Sequence, residues 1–526
     1  MKQAVRKYWA VALMLVIVTG VCLLFSIRKA GMFIDEVYTY SLSNSSYAPY
    51  LSDLKGGDMT GQIYTREELL DYVTVEDDEG FDAGSVYYNQ TMDVHPPLYY
   101  WIFNAVSTVF SRGDFTKWTG LVLDYFIYMA ALIVLYKLAR KLFGSRETAA
   151  AAVVIYGLSG LGLSTMLMIR MYVLMTLLTL CLVYQIACLM ESFDRRRCIL
   201  TGVFLFLGLM TQYYFVFYAF FLCAAFVVYI IIKRRCRELL WFVPCALGGV
   251  ALLLAAFPAC LTQLFANKLV SGGNAIDNLT NTSQYAYRLS YFFNETRHGL
   301  KAAIIIGLIV LLALALLHRR LRLRMMLGGV SLDSLMLIVP AFFTFALVAV
   351  ISPVEDQRYI YNIAPIFVLA VCLALYLLDK ALWPLGDGNL KTLALLLVAA
   401  IALWEARCAP PQYLYPEYAD YDLLVAEHSD DPCVYFTDNY FEPMTQDILQ
   451  LMAFDDLYVT DENGYMDMLG YTGDAPEVVA YIDISEYWSS GYDADKIIAD
   501  VTANTPYTRA QLLYQNGLSI TYVLYA

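Results

Sequence analysis

Apolar runs of 18 or more residues recur along this chain, closed off by short clusters of Lys and Arg. That length matches the hydrocarbon thickness a helix must cross. The first run, Trp9 to Ile27, follows Lys2, Arg6 and Lys7, ends in no small-residue cleavage pattern, and is read as an uncleaved anchor. Further spans are predicted at 118–136, 148–168, 172–190, two within 199–232, then 239–260, 299–317, 335–352, 360–378 and 390–405. Thr211-Gln-Tyr-Tyr214 interrupts the run 199–232. The count is about eleven.

Three stretches break the rhythm. Residues 30–95 are polar, with Arg66-Glu-Glu-Leu-Leu-Asp-Tyr72 reading as a short amphipathic helix. Pro96 and Pro97 open a 13-residue apolar helix, 98–110, too short to span and expected along the membrane surface with Tyr99, Tyr100 and Trp101. A second polar loop covers about 261–297. From 406 the pattern shortens. Cys433–Phe436, Leu457–Val459, Val478–Ile482 and Ile520–Leu524 read as strands, and 440–453 and 493–502 as helices, which predicts a small α/β domain. The expected division is 1–405, a transmembrane domain holding loop 30–97 and helix 98–110, and 406–526, an acidic domain outside the membrane.

Composition supports a polytopic α-helical membrane protein: 526 residues, 60% hydrophobic and 16% charged, with mean hydropathy +0.55. The net charge of −13 hides a partition. Segment 30–95 carries 13 acidic and 2 basic residues, and segment 406–526 carries 21 and 3, so the remainder is +16. Basic residues stay on the cytoplasmic side. The expected topology is therefore multi-pass in the plasma membrane, with the N-terminus cytoplasmic and the C-terminal domain extracytoplasmic. Arg28 and Lys29 run against this bias. The Asn-x-Ser/Thr triplets at Asn44, Asn89, Asn278, Asn281 and Asn294 all fall in the predicted outer loops. The eleven cysteines lie mostly in or beside apolar runs and read as small buried hydrophobes; only Cys408 and Cys433 fall in the tail, where one disulfide is open. There is no CxxC, no Walker A and no GxGxxG, and nothing suggests nucleic acid.

Candidate chemistry gathers at the predicted outer ends of helices. Asp35-Glu36 lies between Met32-Phe33-Ile34 and Val37-Tyr38. Its bland reading is a pair of solvated loop acids. The apolar flank favours partial burial, which raises a carboxylate's pKa and makes it a usable base. Asp93-Val-His-Pro-Pro holds Asp93 and His95 next to two fixed φ angles; His95 reads either as a helix-start hydrogen bonder or as a phosphate ligand. Arg170 and Arg358 read either as snorkelling cations or as phosphate ligands. Tyr172 and Tyr359 belong either to an aromatic belt or to a substrate wall. Glu355 and Asp356 are in range to pair with Arg358, and Asp124 is the main charge within a span.

Taken in order, Asp35-Glu36, His95-Pro-Pro-Leu-Tyr99, Arg170-Met-Tyr172 and Arg358-Tyr359 followed by Pro365 resemble the GT-C membrane glycosyltransferases, in the group of protein O-mannosyltransferases and lipid A aminoarabinose transferases. The resemblance covers about residues 1–380. It implies a polyprenyl-phosphate sugar donor and inverting transfer to an acceptor hydroxyl. Asp35 would be the base and Glu36 its support, with Asp93, His95, Arg170, Tyr172, Arg358 and Tyr359 on the donor phosphate or substrate. The acceptor stays open among protein, lipid and glycan. Many relatives have Thr-His-Tyr where this chain has Thr211-Gln-Tyr213. No metal-ligand set is defined, and whether a divalent cation is needed stays open; the acidic loop is where one would bind. A transporter or flippase of a lipid-linked saccharide is the alternative, but such sites sit near the bilayer midplane, where charges here are few.

Overall fold

The computed structural model describes residues 2–76, 79–265, 272–317, 331–382, 388–485 and 491–526. The basic cluster His318–Arg324 lies outside them. Two compact units form. One comprises Met1–Ile27, Val94–Tyr99 and Leu121–Gln412; the other comprises Arg28–Asp93, Tyr100–Gly120 and Tyr413–Ala526.

The first unit is a multi-pass membrane bundle. Among the described residues seven helices are long and apolar enough to cross a membrane, and nine if two bent pairs each count once. The sequence count of about eleven includes two more helices, Arg195–Leu209, only 15 residues long, and Gly388–Cys408, which carries Lys391, Glu405 and Arg407. The polar interruption at 211–214 is the break between Arg195–Leu209 and Phe215–Ile232.

Both bends have a local cause. Arg146–Gly157 and Gly160–Leu167 meet at 61°, and Thr282–Gly299 and Lys301–Leu316 at 84°. At the first, Ser159 caps the new helix by accepting from the Gly162 amide at 3.1 Å. A Cβ on Gly160 would come within 3.3 Å of the Gly299 Cα, so the two bends need a bare backbone where they touch. At the second bend the buried Glu405 accepts from the Lys301 and Ala302 amides at 2.8 and 2.7 Å. A carboxylate on a helix N-terminus satisfies orphan amides and meets the positive end of the dipole. The charge that keeps Gly388–Cys408 from reading as a clean span is thus a cap for its neighbour.

The second unit joins segments far apart in the chain. Its sheet runs β1 (Ile63–Thr65), β3 (Asp456–Thr460), β2 (Cys433–Phe436), β4 (Glu477–Asp483), β6 (Ser519–Tyr525), β5 (Arg509–Gln515). Strands β2, β3 and β4 are parallel; the other pairings are antiparallel. The four predicted tail strands are β2, β3, β4 and β6. Strand β1 comes from the first polar segment, with Tyr64 opposite Leu457, so that segment and the tail build one sheet although the sequence division separates them. β2 and β4 are buried on both faces, as parallel central strands require. Val434, Phe436, Val478, Ala480 and Ile482 face Ile497 and Val501 of the helix Ala494–Asn504. Tyr435 and Tyr481 stack at 5.6 Å.

The helix predicted over 66–72 is Arg66–Val73, with a capping box between Thr65 and Glu68. Two further helices of this segment, Ile34–Asn44 and Ala83–Met92, have no periodic signal strong enough to be predicted. Asn44 and Asn89 are buried on them: Asn44 donates to the Val73 carbonyl, and Asn89 to the Ser45 carbonyl at 2.9 Å. These two triplets are structural and not surface acceptors. Cys408 and Cys433 are both free thiols.

Candidate active site

In the sheet-bearing unit, Asp35 and Glu36 stand in the first turn of Ile34–Asn44 and have different fates. Glu36 is fully buried and turns back to accept from the Phe33 amide at 2.8 Å. It also accepts from the Lys29 ammonium at 2.9 Å, and that ammonium donates on to the Tyr413 carbonyl at 2.6 Å. Both side chains of the pair are 0% exposed. A buried ion pair persists when both partners are hydrogen-bonded, and a carboxylate at a helix N-terminus is favoured by the dipole. Lys29, an exception to the charge bias, is therefore the counter-ion of Glu36.

Asp35, one residue earlier, is only partly buried. It acts electrostatically on Glu442, in the first turn of the helix Phe441–Leu451. Asp93, at the C-cap of Ala83–Met92, acts on Glu442 as well. Burial raises the Glu442 carboxyl above its usual range; the two neighbouring carboxylates add to this and the Tyr440 hydroxyl opposes it. Around these acids lie Tyr38, Tyr50 and Tyr440, whose phenols burial pushes up further than their acidic neighbours do. The Tyr38 hydroxyl is buried and has no hydrogen-bond partner among the described residues. Chain geometry fixes the cluster: Gln446 donates to the Met32 carbonyl at 3.0 Å, and the Tyr50 and Phe441 rings sit 4.6 Å apart. The product is a set of three carboxylates walled by phenols, suited to taking a proton from a hydroxyl group.

The helical unit holds the cations. Arg170 lies in the turn between Gly160–Leu167 and Tyr172–Glu191, is 2% exposed, and has Nη2 at 3.4 Å from His95 Nδ1. The turn carrying His95 is anchored on both sides. The Leu98 amide donates to the Met210 carbonyl at 3.1 Å, and the Tyr99 hydroxyl donates to Asp124 Oδ1 at 2.7 Å. Asp124 thus has a hydrogen-bonding partner inside its span. Tyr172 meets Tyr361 edge-on at 6.1 Å. Arg358 opens the 3₁₀ turn Gln357–Ile363, where its amide donates to Asp356 Oδ1 at 2.9 Å and its guanidinium lies over the Tyr359 ring. Tyr359 packs on Tyr214 at 4.6 Å, and Tyr214 is within electrostatic reach of Tyr172, Arg288 and Arg358. Glu355 pairs with Arg288, not with Arg358. Guanidinium groups in so dry a setting bind phosphate oxygens strongly.

The sequence-marked residues therefore divide. Asp35 and Asp93 form one cluster, with Glu36 locked to Lys29 beside them. His95 with Arg170, and Tyr172 with Arg358 and Tyr359, form the other. Residues the sequence reading passed over are Glu442, Tyr440 and Lys29 in the first, and Tyr214, Arg288 and Tyr361 in the second. Two of them left a signal: Lys29 as an exception to the charge bias, and Arg288 as a cation within a polar loop. Among the described residues the one grouping spaced for a cation is His428, Asp431 and Glu477, outside the acidic loop. His428 Nδ1 is already 2.8 Å from Asp431 and 3.4 Å from Glu477, so these three side chains already engage one another.

Residues 94–261 match the family described as dolichyl-phosphate-mannose-protein mannosyltransferase. No curated protein sequence matches the chain. Among solved structures, ArnT from Cupriavidus metallidurans bound to undecaprenyl phosphate superposes with a TM-score of 0.50 at 12% identity, over 98% of this chain and 98% of that one. Its apo form gives 0.47 at 12% identity, over 97% of each. Residues 94–261 thus carry a mannosyltransferase-family segment, and the chain as a whole has an ArnT-like, GT-C-type fold.

Proposed function

We propose that this protein transfers a sugar from a polyprenyl-phosphate donor to an acceptor hydroxyl, with inversion at the anomeric carbon, on the outer face of the plasma membrane. The observation that carries the reading is buried Arg170 beside half-buried His95, inside the segment matching the mannosyltransferase family. The lipid phosphate bound by the structurally similar ArnT supports the donor class. The acidity of segments 30–95 and 406–526 supports an outer position, with the N-terminus inside and the helix Leu98–Phe110 along the membrane surface.

Asp35 takes the proton of the acceptor hydroxyl as its oxygen attacks the anomeric carbon. The bond to the donor phosphate breaks on the opposite face. The charge that develops on the leaving polyprenyl phosphate is met by Arg170, His95 and Arg358. Tyr172 and Tyr359 wall the donor, and Glu36 holds the first turn that carries Asp35. Glu442 and Asp93 tune that base through their charge.

The test is transfer by purified protein in lipid, with a panel of labelled polyprenyl-phosphate sugars and a membrane extract as acceptor pool. The expected result is transfer from one donor by the native chain and about 10³-fold less by Asp35→Asn that melts like the native chain. Full transfer by Asp35→Asn would remove Asp35 as the base.

A further inference from the structure

The helical unit contains a cavity of about 580 Å³ that plays no part in the chemistry above. It opens at the N-terminal end of Tyr8–Arg28 and the C-terminal end of Lys117–Phe143, with Tyr184 closing one side. Part of its wall is apolar: Val11, Ala12, Leu15 and Ile133. Four cations complete the lining: Lys137, Arg140, Lys141 and Arg146. The first three share one helix face, since residues three and four apart are neighbours there.

Four like charges within ten residues repel unless something anionic neutralises them. The protein supplies little. Lys141 pairs with Glu191, and Arg140 donates to the Gly144 carbonyl. Lys137 and Arg146 are exposed and have no acidic partner among the described residues. Tyr136 and Tyr184 lie in the same lining. An apolar wall beside a cationic, phenol-bearing rim matches a molecule with a phosphate at one end and methylenes at the other. The volume is in the range of small-molecule sites.

We propose that this cavity binds one anionic phospholipid, its phosphate between Lys137, Arg140 and Arg146 and an acyl chain along Val11, Leu15 and Ile133. The site is separate from the cationic cluster of the candidate active site: the whole broken span from Arg146 to Leu167 intervenes before Arg170. Ordinary snorkelling would explain cations at a helix end, but it predicts no preference for one lipid and no difference between these cations and others at helix ends.

Delipidated protein in detergent, titrated with phosphatidylglycerol and read by native mass spectrometry, tests this. One tightly held phosphatidylglycerol is expected, not displaced by phosphatidylcholine. Lys137→Gln with Arg146→Gln weakens it about thirtyfold, at roughly a fivefold loss per basic residue. The control pair Arg196→Gln with Arg237→Gln, both exposed cations outside the cavity, leaves it unchanged. Equal binding of phosphatidylcholine, an equal loss in the control pair, or release of the lipid by inorganic phosphate at the lipid's own concentration would each overturn the assignment. The melting temperature of lipid-free protein, unchanged in both pairs, separates lost binding from lost folding.

Discussion

The two compact units treat charge in opposite ways. The helical unit buries cations in apolar surroundings: Arg170 is 2% and Arg288 5% exposed, each held by carbonyl, carboxylate or imidazole groups. The sheet-bearing unit gathers carboxylates and neutralises only some of them. Glu36 has Lys29, whereas burial first, and then its carboxylate neighbours, make Glu442 keep its proton more readily. A guanidinium stays charged wherever it is put, so burying it makes a permanent anion site. A carboxylate's charge depends on its surroundings, so clustering carboxylates makes a group able to exchange protons. Under the function proposed above, the contrast divides the labour between holding a phosphate and moving a proton.

The largest expected effect lies with the base. Asp35→Asn should lower transfer about 10³-fold, within the span for loss of a general base, with an unchanged melting temperature; Arg170→Gln should lower it about 10²-fold. Initial rates on matched amounts of folded protein check both. If Arg170→Gln cost nothing, the contrast between the units would lose its functional meaning.

Glu36→Gln should break stability and not chemistry. It leaves the buried Lys29 ammonium without its counter-ion, a loss of about 3–5 kcal/mol. Melting of the variant in detergent is the measurement, and Lys29→Met with Glu36→Gln together should recover much of the loss.

Asp447 gives a smaller, pH-dependent effect. It is buried in the sheet-bearing unit, where it accepts from Tyr435 and Asn516, and burial pushes it up to about 6. A carboxyl whose pKa rises on folding stabilises the fold when protonated. Its contribution is full below the ordinary value near 4 and is lost as pH rises through about 6. Hydrogen exchange of the β2 and β4 amides should therefore quicken from pH 4 to 6, and Asp447→Asn should flatten that trend. An unchanged slope in the variant would assign the trend to other groups.

The smallest effect sharpens the picture of the acid cluster. Glu442→Gln removes a negative neighbour of Asp35, which makes Asp35 easier to ionise. The acidic limb of the transfer profile should move to lower pH, with the plateau changed only a few-fold. Asp93 and Tyr440 also face Glu442 and are unaltered in this variant. An unmoved limb would leave Glu442 a bystander.

How much of this the sequence carried depends on the range of the interactions. Spans such as Phe215–Ile232 declare themselves through composition alone, because the membrane imposes one length. Strands β2, β3, β4 and β6 were legible as short apolar runs. Strands β1 and β5 were not: β1 has three residues, and β5 alternates only weakly, with Leu512 exposed. Their identity as strands comes from partners far away or across a turn. The site followed the same rule. Asp35, His95, Arg170 and Arg358 stand out by position next to helix ends or prolines. Glu442 is one of 21 acids in an acidic tail, and nothing local distinguishes it; its nearness to Asp35 exists only once Phe441–Leu451 has docked on Ile34–Asn44. Lys29 is opaque for a related reason, since its partner Glu36 lies seven residues on and meets it only once Ile34–Asn44 has formed.

The pairing of β1 with β3 also sets a schedule for making the protein. About 390 residues separate Thr65 from its partner Asp456. At 5–20 residues per second, the first segment waits roughly 20–80 s before the strand it needs has been synthesised. For that time it must remain unpaired without sticking to itself or to its neighbours. Thirteen acids in 30–95 keep it soluble through that interval, so the acidity of this loop serves the newborn chain before it serves any reaction.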